Sequence, residues 1–180
     1  MKNIKLMIAA AFVLYFLNGL LGPLLVVFIE KIGGENLLNI GYVYATFLIT
    51  SGVFSAVSGK LSDKYGRKKL ILLGALVATS VPFGYIFVTN VYHILFLEFV
   101  LGISLGINFA PYFALFSESS KKVKRGMHFG LFDLMTSLAS AIAILVGVYI
   151  VQFFGFVNLF LIMGILSFVN FLILLMIKDL

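Results

Sequence analysis

The chain has 180 residues, 62% apolar and 11% charged, against roughly 45–50% and about 25% in ordinary soluble domains. These proportions exclude a soluble globule, which needs a polar skin, and disorder, which needs low hydrophobicity and high charge. Cysteine is absent, so there is no disulfide framework, thiolate metal site or thiol nucleophile. What remains is an integral membrane protein.

A helix that crosses the hydrocarbon core needs roughly 20 mostly apolar residues. Taken in chain order, stretches that qualify run over 6–29, 37–59, 70–89, 92–117, 129–152 and 155–177, the fourth carrying Glu98 and the fifth Asp133. Apolar residues surround these stretches rather than alternate, which disfavours barrel strands. A helix in lipid satisfies its own backbone groups, so the expected fold is all-α, one domain of six transmembrane helices over 1–180. The first stretch is expected to stay in the mature protein. Its 24 uncharged residues exceed a signal-peptide core, and Ile29-Glu30-Lys31 offers no small-residue cleavage site. The terminal Ile177-Lys178-Asp179-Leu180 lacks the acidic pair and spacing of a retention signal.

The charges lie between the stretches, and unevenly. Lys2 and Lys5 precede the first, Lys60, Lys64, Arg67, Lys68 and Lys69 follow the second, Lys121, Lys122, Lys124 and Arg125 follow the fourth, and Lys178 follows the sixth. Twelve of the 13 basic residues therefore fall on one side, with Lys31 opposite. The positive-inside rule then places both termini in the cytoplasm. The net charge of +6 reports topology, and no nucleic-acid partner is expected. The short Asn90–His93 turn divides the six helices into three and three of opposite orientation, which admits an inverted 3+3 repeat.

The segment after the second helix reads Gly59-Lys60-Leu61-Ser62-Asp63-Lys64-Tyr65-Gly66-Arg67-Lys68-Lys69. It resembles the signature loop of the major facilitator superfamily, G-x-x-x-D-[R/K]-x-G-R-[R/K]-[R/K], with every fixed position filled and the expected helix pair on either side. Gly19-Leu20-Leu21-Gly22-Pro23, Ile40-Gly41, Ser117-Glu118, Arg125-Gly126 and Gly130 are similar to further family positions. Members usually have twelve helices, and this chain resembles the amino-terminal six. The resemblance implies half of a major facilitator fold in the plasma (inner) membrane. It also implies a cytoplasmic gate in which Asp63 and Glu118 meet Arg67. Independently of the family, Asp63 and Arg67 are four residues apart, so one helical turn puts them on one face. Gly59 and Gly66 suit close backbone approach and positive φ at a turn. Lys64, Lys68 and Lys69 read as solvated topological anchors.

Ionisable groups inside a membrane are costly and by default suggest function. Glu98 stands where members often carry an Arg, four residues before Gly102, so the Arg's coupling role does not transfer. Glu98 is instead a candidate proton or ion carrier, with a hydrogen-bonded or snorkelling acid as the alternative. Asp133, expected in the first turn of the fifth helix, reads as either a second coupling acid or a charge on the positive helix end. Ala11, Tyr15, Asn18 and Gly22 follow 4-3-4 spacing and share a face of the first helix. Asn108 and Tyr112 lie within about 80° of Glu98 around the fourth. Family members line their central cavity with these two helices, which makes Tyr15, Asn18, Asn108 and Tyr112 cavity candidates, interhelical hydrogen bonding being the alternative. The rows Gly102-Gly106-Ala110 and Ala139-Ala143-Gly147 read as close helix packing.

There is no His-Glu-x-x-His motif and no glycine-rich nucleotide loop, and His93 and His128 fall near opposite faces. Neither an enzyme nor a cofactor or metal is expected. The expected function is secondary active transport of a small solute by alternating access, with the chain acting as a half-size unit in a homodimer or beside a second six-helix half. The alternative is a non-transporting, truncated or regulatory membrane subunit that pairs with a different half.

Overall fold

The computed structural model describes residues 2–33, 36–120 and 122–178, so Lys121 and the terminal Asp179 and Leu180 lie outside the described residues. Among the described residues the regular structure is helical: α1 (Lys2–Leu21), α2 (Leu24–Gly33), α3 (Leu37–Tyr65), α4 (Arg67–Tyr85), α5 (Val91–Ser119), a 3₁₀ turn (Lys122–Lys124) and α6 (Arg125–Leu175).

The first expected helix is broken in two. Pro23 has no N–H to give the preceding turn, so α1 stops at Leu21 and α2 restarts at Leu24. Gly22 N–H still bonds to the Asn18 carbonyl at 2.9 Å, and the Gly22 carbonyl accepts from Leu25 N–H and Tyr44 Oη. Asn36 caps α3 by accepting from Leu38 N–H at 3.0 Å. That helix runs six residues past the expected end at 59, because backbone hydrogen bonding continues into the polar segment where hydrophobicity stops. Gly66, at φ 94° and ψ 135°, ends α3 and starts α4. The signature segment is therefore a helix end, one joint residue and a helix start. Gly59 lies inside α3, and a Cβ there would meet only Ala110 Cβ at 3.8 Å; it serves no close approach, contrary to expectation. Pro82 sits near the end of α4, which finishes at Tyr85 rather than 89. Asn90 caps α5 by accepting from His93 N–H at 3.1 Å.

Gly155 (φ 79°, ψ 172°) interrupts α6, dividing it into arms over 125–154 and 156–175. Phe132 from the first arm and Leu174 from the second share one core cluster. Lys68 Nζ bonds to the Leu175 carbonyl at 3.0 Å, so both arms return to the end of the bundle that holds the signature segment. Asn3 and Lys178 exchange two hydrogen bonds there, at 2.9 and 3.3 Å. The chain thus passes six times along the bundle, and Asn3 and Lys178 meet at the signature end. Four stretches, 3–21, 37–65, 91–119 and 122–175, are long and apolar enough to cross a membrane by length and composition. At 1.5 Å per residue the last would span about 80 Å as one rod, more than twice a hydrocarbon core of roughly 30 Å, and the turn at Gly155 resolves the excess.

The core has two centres. Near the opposite end, Phe160 stacks on Tyr85 at 5.0 Å and meets Phe28 edge-on at 5.1 Å. Near the signature end, Phe116 packs against Phe132 at 5.3 Å and Phe129 at 5.0 Å.

Candidate functional site

Small residues decide which helices touch. A Cβ at Gly106 would lie 2.6 Å from the Ser51 carbonyl oxygen, and one at Gly147 would lie 2.4 Å from that of Leu20. Such contacts draw α5 onto α3 and the first arm of α6 onto α1. Consequently α1 packs chiefly on α6, while α5 packs on α3 and α4, and α1 and α5 barely meet. The gap between them is a cleft.

Two adjoining cavities occupy it, of about 320 and 270 Å³, sharing Leu14, Asn18, Phe47 and Leu105 on their walls. Tyr44, Tyr85 and Glu98 line the first, which lies toward the opposite end. The second lies toward the signature end, and Tyr15, Asn18, Asn108 and Tyr112 all line it, with Asn170 from the second arm of α6. Two of these also hold helices together: Asn108 Nδ2 donates to the Ile71 carbonyl at 3.3 Å, and Tyr112 Oη donates to the Met7 carbonyl. Among the described residues, neither cavity wall includes a Lys, Arg or His.

Glu98 is 4% exposed. Tyr85 Oη donates to its Oε1 at 2.5 Å, so the acid is hydrogen-bonded inside the bundle rather than snorkelling. Asp133 differs from its expected place. Because α6 begins at Arg125, Asp133 lies in the third turn, too deep to face the helix start. It is exposed and lines neither cavity.

At the signature end Arg67 forms an ion pair with Glu118, and its Nη2 lies 3.8 Å from Asp63 Oδ1. Three helices meet there: Asp63 is near the end of α3, Arg67 is the first residue of α4, and Glu118 is at the end of α5. The joint at Gly66 folds α4 back so that its first residue faces both acids. Beside this cluster Arg125 Nη2 donates to the Ser117 carbonyl at 3.2 Å, tying the start of α6 to α5.

Tyr85 and Asn170 are among the cavity-lining residues that sequence reasoning passes over, as are Tyr44, Ser51 and Ser167. Tyr85 lies at a helix end beside Gly84, and Asn170 in an otherwise apolar run. An isolated polar residue in an apolar helix was the available signal for Asn170. For Tyr85, whose partner is on another helix, there was none.

A six-pass helical bundle with a cleft through its middle and a charged cluster at one end is a multi-pass membrane protein of transporter type. The model of the Major Facilitator Superfamily matches residues 7–179, and the chain belongs to that family. It is 29% identical over 157 residues to the multi-drug resistance efflux pump PmrA of Streptococcus pneumoniae, a match covering 83% of this chain and 39% of that protein. It is 28% identical over 139 residues to a D-xylose transporter of Levilactobacillus brevis, covering 71% and 30%. The fold superposes on the crystal structure of the POT family transporter PepTSo with a TM-score of 0.87 at 18% identity, over 99% of this chain and 38% of that one. The chain thus spans well under half the length of these relatives.

Proposed function

We propose that this six-pass unit is one half of a secondary active transporter that moves a small solute unchanged by alternating access. A second six-pass half, either another copy or a different one, faces the cleft and completes the solute path. Within the unit, three passes before residues 86–90 and three after form halves of opposite orientation. Both termini and the Asp63–Arg67–Glu118 cluster face the cytoplasm across the plasma membrane, as the charge asymmetry implies. The cluster acts as a gate whose ion pairs form in one state and separate in the other. Glu98 carries the coupling proton or ion. Asp133 contributes to the face toward the second half, since it is exposed and lines neither cavity.

The observation that carries this reading is the cleft: Tyr15, Asn18, Asn108 and Tyr112 open into one cavity, and the charged cluster gathers at one end of the same bundle. The relatives' names cover drugs and a sugar, so they support transport without choosing a solute.

The test uses a single cysteine at Asn18 in vesicles of known orientation. A transporter exposes that cysteine to an impermeant reagent from each side in turn, and Arg67→Ala shifts the balance toward cytoplasmic access. Labelling from one side only, unchanged by Arg67→Ala, assigns the unit to the non-transporting subunit reading.

A further inference from the structure

The link from α5 to α6 exposes apolar side chains in the midst of bases. Residues 119–132 hold four basic residues and no acid. Val123, in the 3₁₀ turn between Lys122 and Lys124, is 97% exposed, and Met127 is 70% exposed. Lys122 and Lys124 are exposed as well, and neither makes a hydrogen bond or ion pair with another described residue. The flanking acids do not neutralise them: Glu118 pairs with Arg67, and Asp133 lies more than two turns into α6. Two bonds hold the turn in place. Arg125 Nη2 donates to the Ser117 carbonyl at 3.2 Å, and His128 Nδ1 shares a hydrogen bond of 3.1 Å with Ser120 Oγ.

Length sets the depth of this turn. The first arm of α6 is about 45 Å long at 1.5 Å per residue, as much as a whole bilayer of about 40–45 Å with its headgroup layers. With Gly155 at the opposite surface, Arg125 and the turn before it stand in the headgroup layer. There Val123 and Met127 can enter the acyl boundary while the lysines stay among the phosphates.

We propose that Lys122–Lys124 and the first turn of α6 dock an anionic phospholipid in the leaflet at the signature end. Lys122 and Lys124 meet its phosphate, and Val123 and Met127 lie against the start of its acyl chains. A free inorganic anion would use the lysines alone and leave Val123 in water. The surface lies outside the solute path and does not depend on transport.

The chain has no tryptophan, so Met127→Trp places a single fluorophore on this surface. The full chain is reconstituted in vesicles of phosphatidylcholine and phosphatidylglycerol with matched acyl chains. One lipid at a time carries bromines near the headgroup end of its chains, and contact with bromine quenches the tryptophan. The relative binding constant should favour phosphatidylglycerol at least about tenfold, since each lysine at an anionic surface is worth about fivefold. Lys122→Gln with Lys124→Gln should bring the two lipids near parity. Lys64→Gln with Lys69→Gln removes the same charge from the same end of the bundle and should leave most of the preference. Val123→Gln should reduce quenching by both lipids, as the turn loses its hold on the acyl boundary. Sodium phosphate should displace no more lipid than sodium chloride of equal ionic strength. Circular dichroism of each variant confirms that the helices persist. Equal constants for the two lipids, a preference that survives loss of Lys122 and Lys124, or one that falls as far on loss of Lys64 and Lys69 overturns the proposal. So does unchanged quenching in Val123→Gln, or displacement specific to phosphate. Absence of quenching by every brominated lipid would place the turn in water, where a soluble partner and not a lipid would meet it.

Discussion

Adding one methyl group at Gly147 tests the packing that creates the cleft. A Cβ there would stand 2.4 Å from the Leu20 carbonyl oxygen, 3.1 Å from its carbonyl carbon and 3.2 Å from its Cα. All three are backbone atoms, so no side-chain rotation relieves the clash. Restoring an ordinary separation of 3.4 Å requires α1 and the first arm of α6 to part by about 1 Å locally. Overpacking of this kind costs about 1–3 kcal/mol, and the gain in helix propensity from Gly to Ala, roughly 1 kcal/mol, offsets part of it. Gly147→Ala should therefore lower unfolding stability by up to about 2 kcal/mol. Gly52, also within a long helix, has nothing within 4 Å of its Cβ position, so Gly52→Ala should be neutral or slightly stabilising. Denaturant unfolding of both variants in lipid–detergent bicelles, followed by circular dichroism, gives the comparison. Gly147→Ala as stable as the parent, or Gly52→Ala equally damaged, would refute the reasoning.

Tyr85→Phe removes the donor to Glu98 and should cost about 1–3 kcal/mol in the same unfolding assay. Combined with Glu98→Gln it should cost less than the two single changes added together, since both break one interaction. The Arg67–Glu118 pair ties the start of α4 to the end of α5. Glu118→Gln should open the signature end, read as a longer distance between spin labels at Lys60 and Lys122; an unchanged distance contradicts the assignment. Asp63 has a side chain 72% exposed, and in full-length members the matching acid meets a helix start in the other half. Cysteines at 63 and 127 should accordingly crosslink between units if two copies pair, and Asp63→Asn should weaken the closed state by about 0.3–1 kcal/mol. Crosslinks confined within one chain would exclude that pairing.

Hydropathy locates all six passes, because each must be apolar over a membrane's thickness, but it misjudges where they stop. The backbone ladder of α3 runs on through Lys60, Asp63 and Lys64 to Tyr65, since a helix in water needs no apolar face to continue. The same blindness set Asp133 at a helix start, when α6 begins in the charged stretch at Arg125. Helical spacing found the shared face of Tyr15 and Asn18 and put Asn108 and Tyr112 on the side of α5 that carries Glu98, because angular position on one helix follows from sequence. It does not tell which helix that face meets. The Tyr85–Glu98 bond and the approach of Asn170 to the cleft depend on how separate helices are rotated against each other, which the glycine contacts decide.

Gly155 joins the two arms of α6 with a single non-helical residue, so the angle between them rests largely on two torsions. The first arm, over 125–154, is about 45 Å long at 1.5 Å per residue. It is a lever with its fulcrum at the end of the bundle opposite the signature segment. A change of about 5° at the joint would move the far tip by about 4 Å, roughly the width of a water molecule and more. No Cβ clash guards the joint, but its φ of 79° resists any L side chain. Replacing Gly155 would thus stiffen or reset the lever at its pivot, some 45 Å from Arg125 at its far tip.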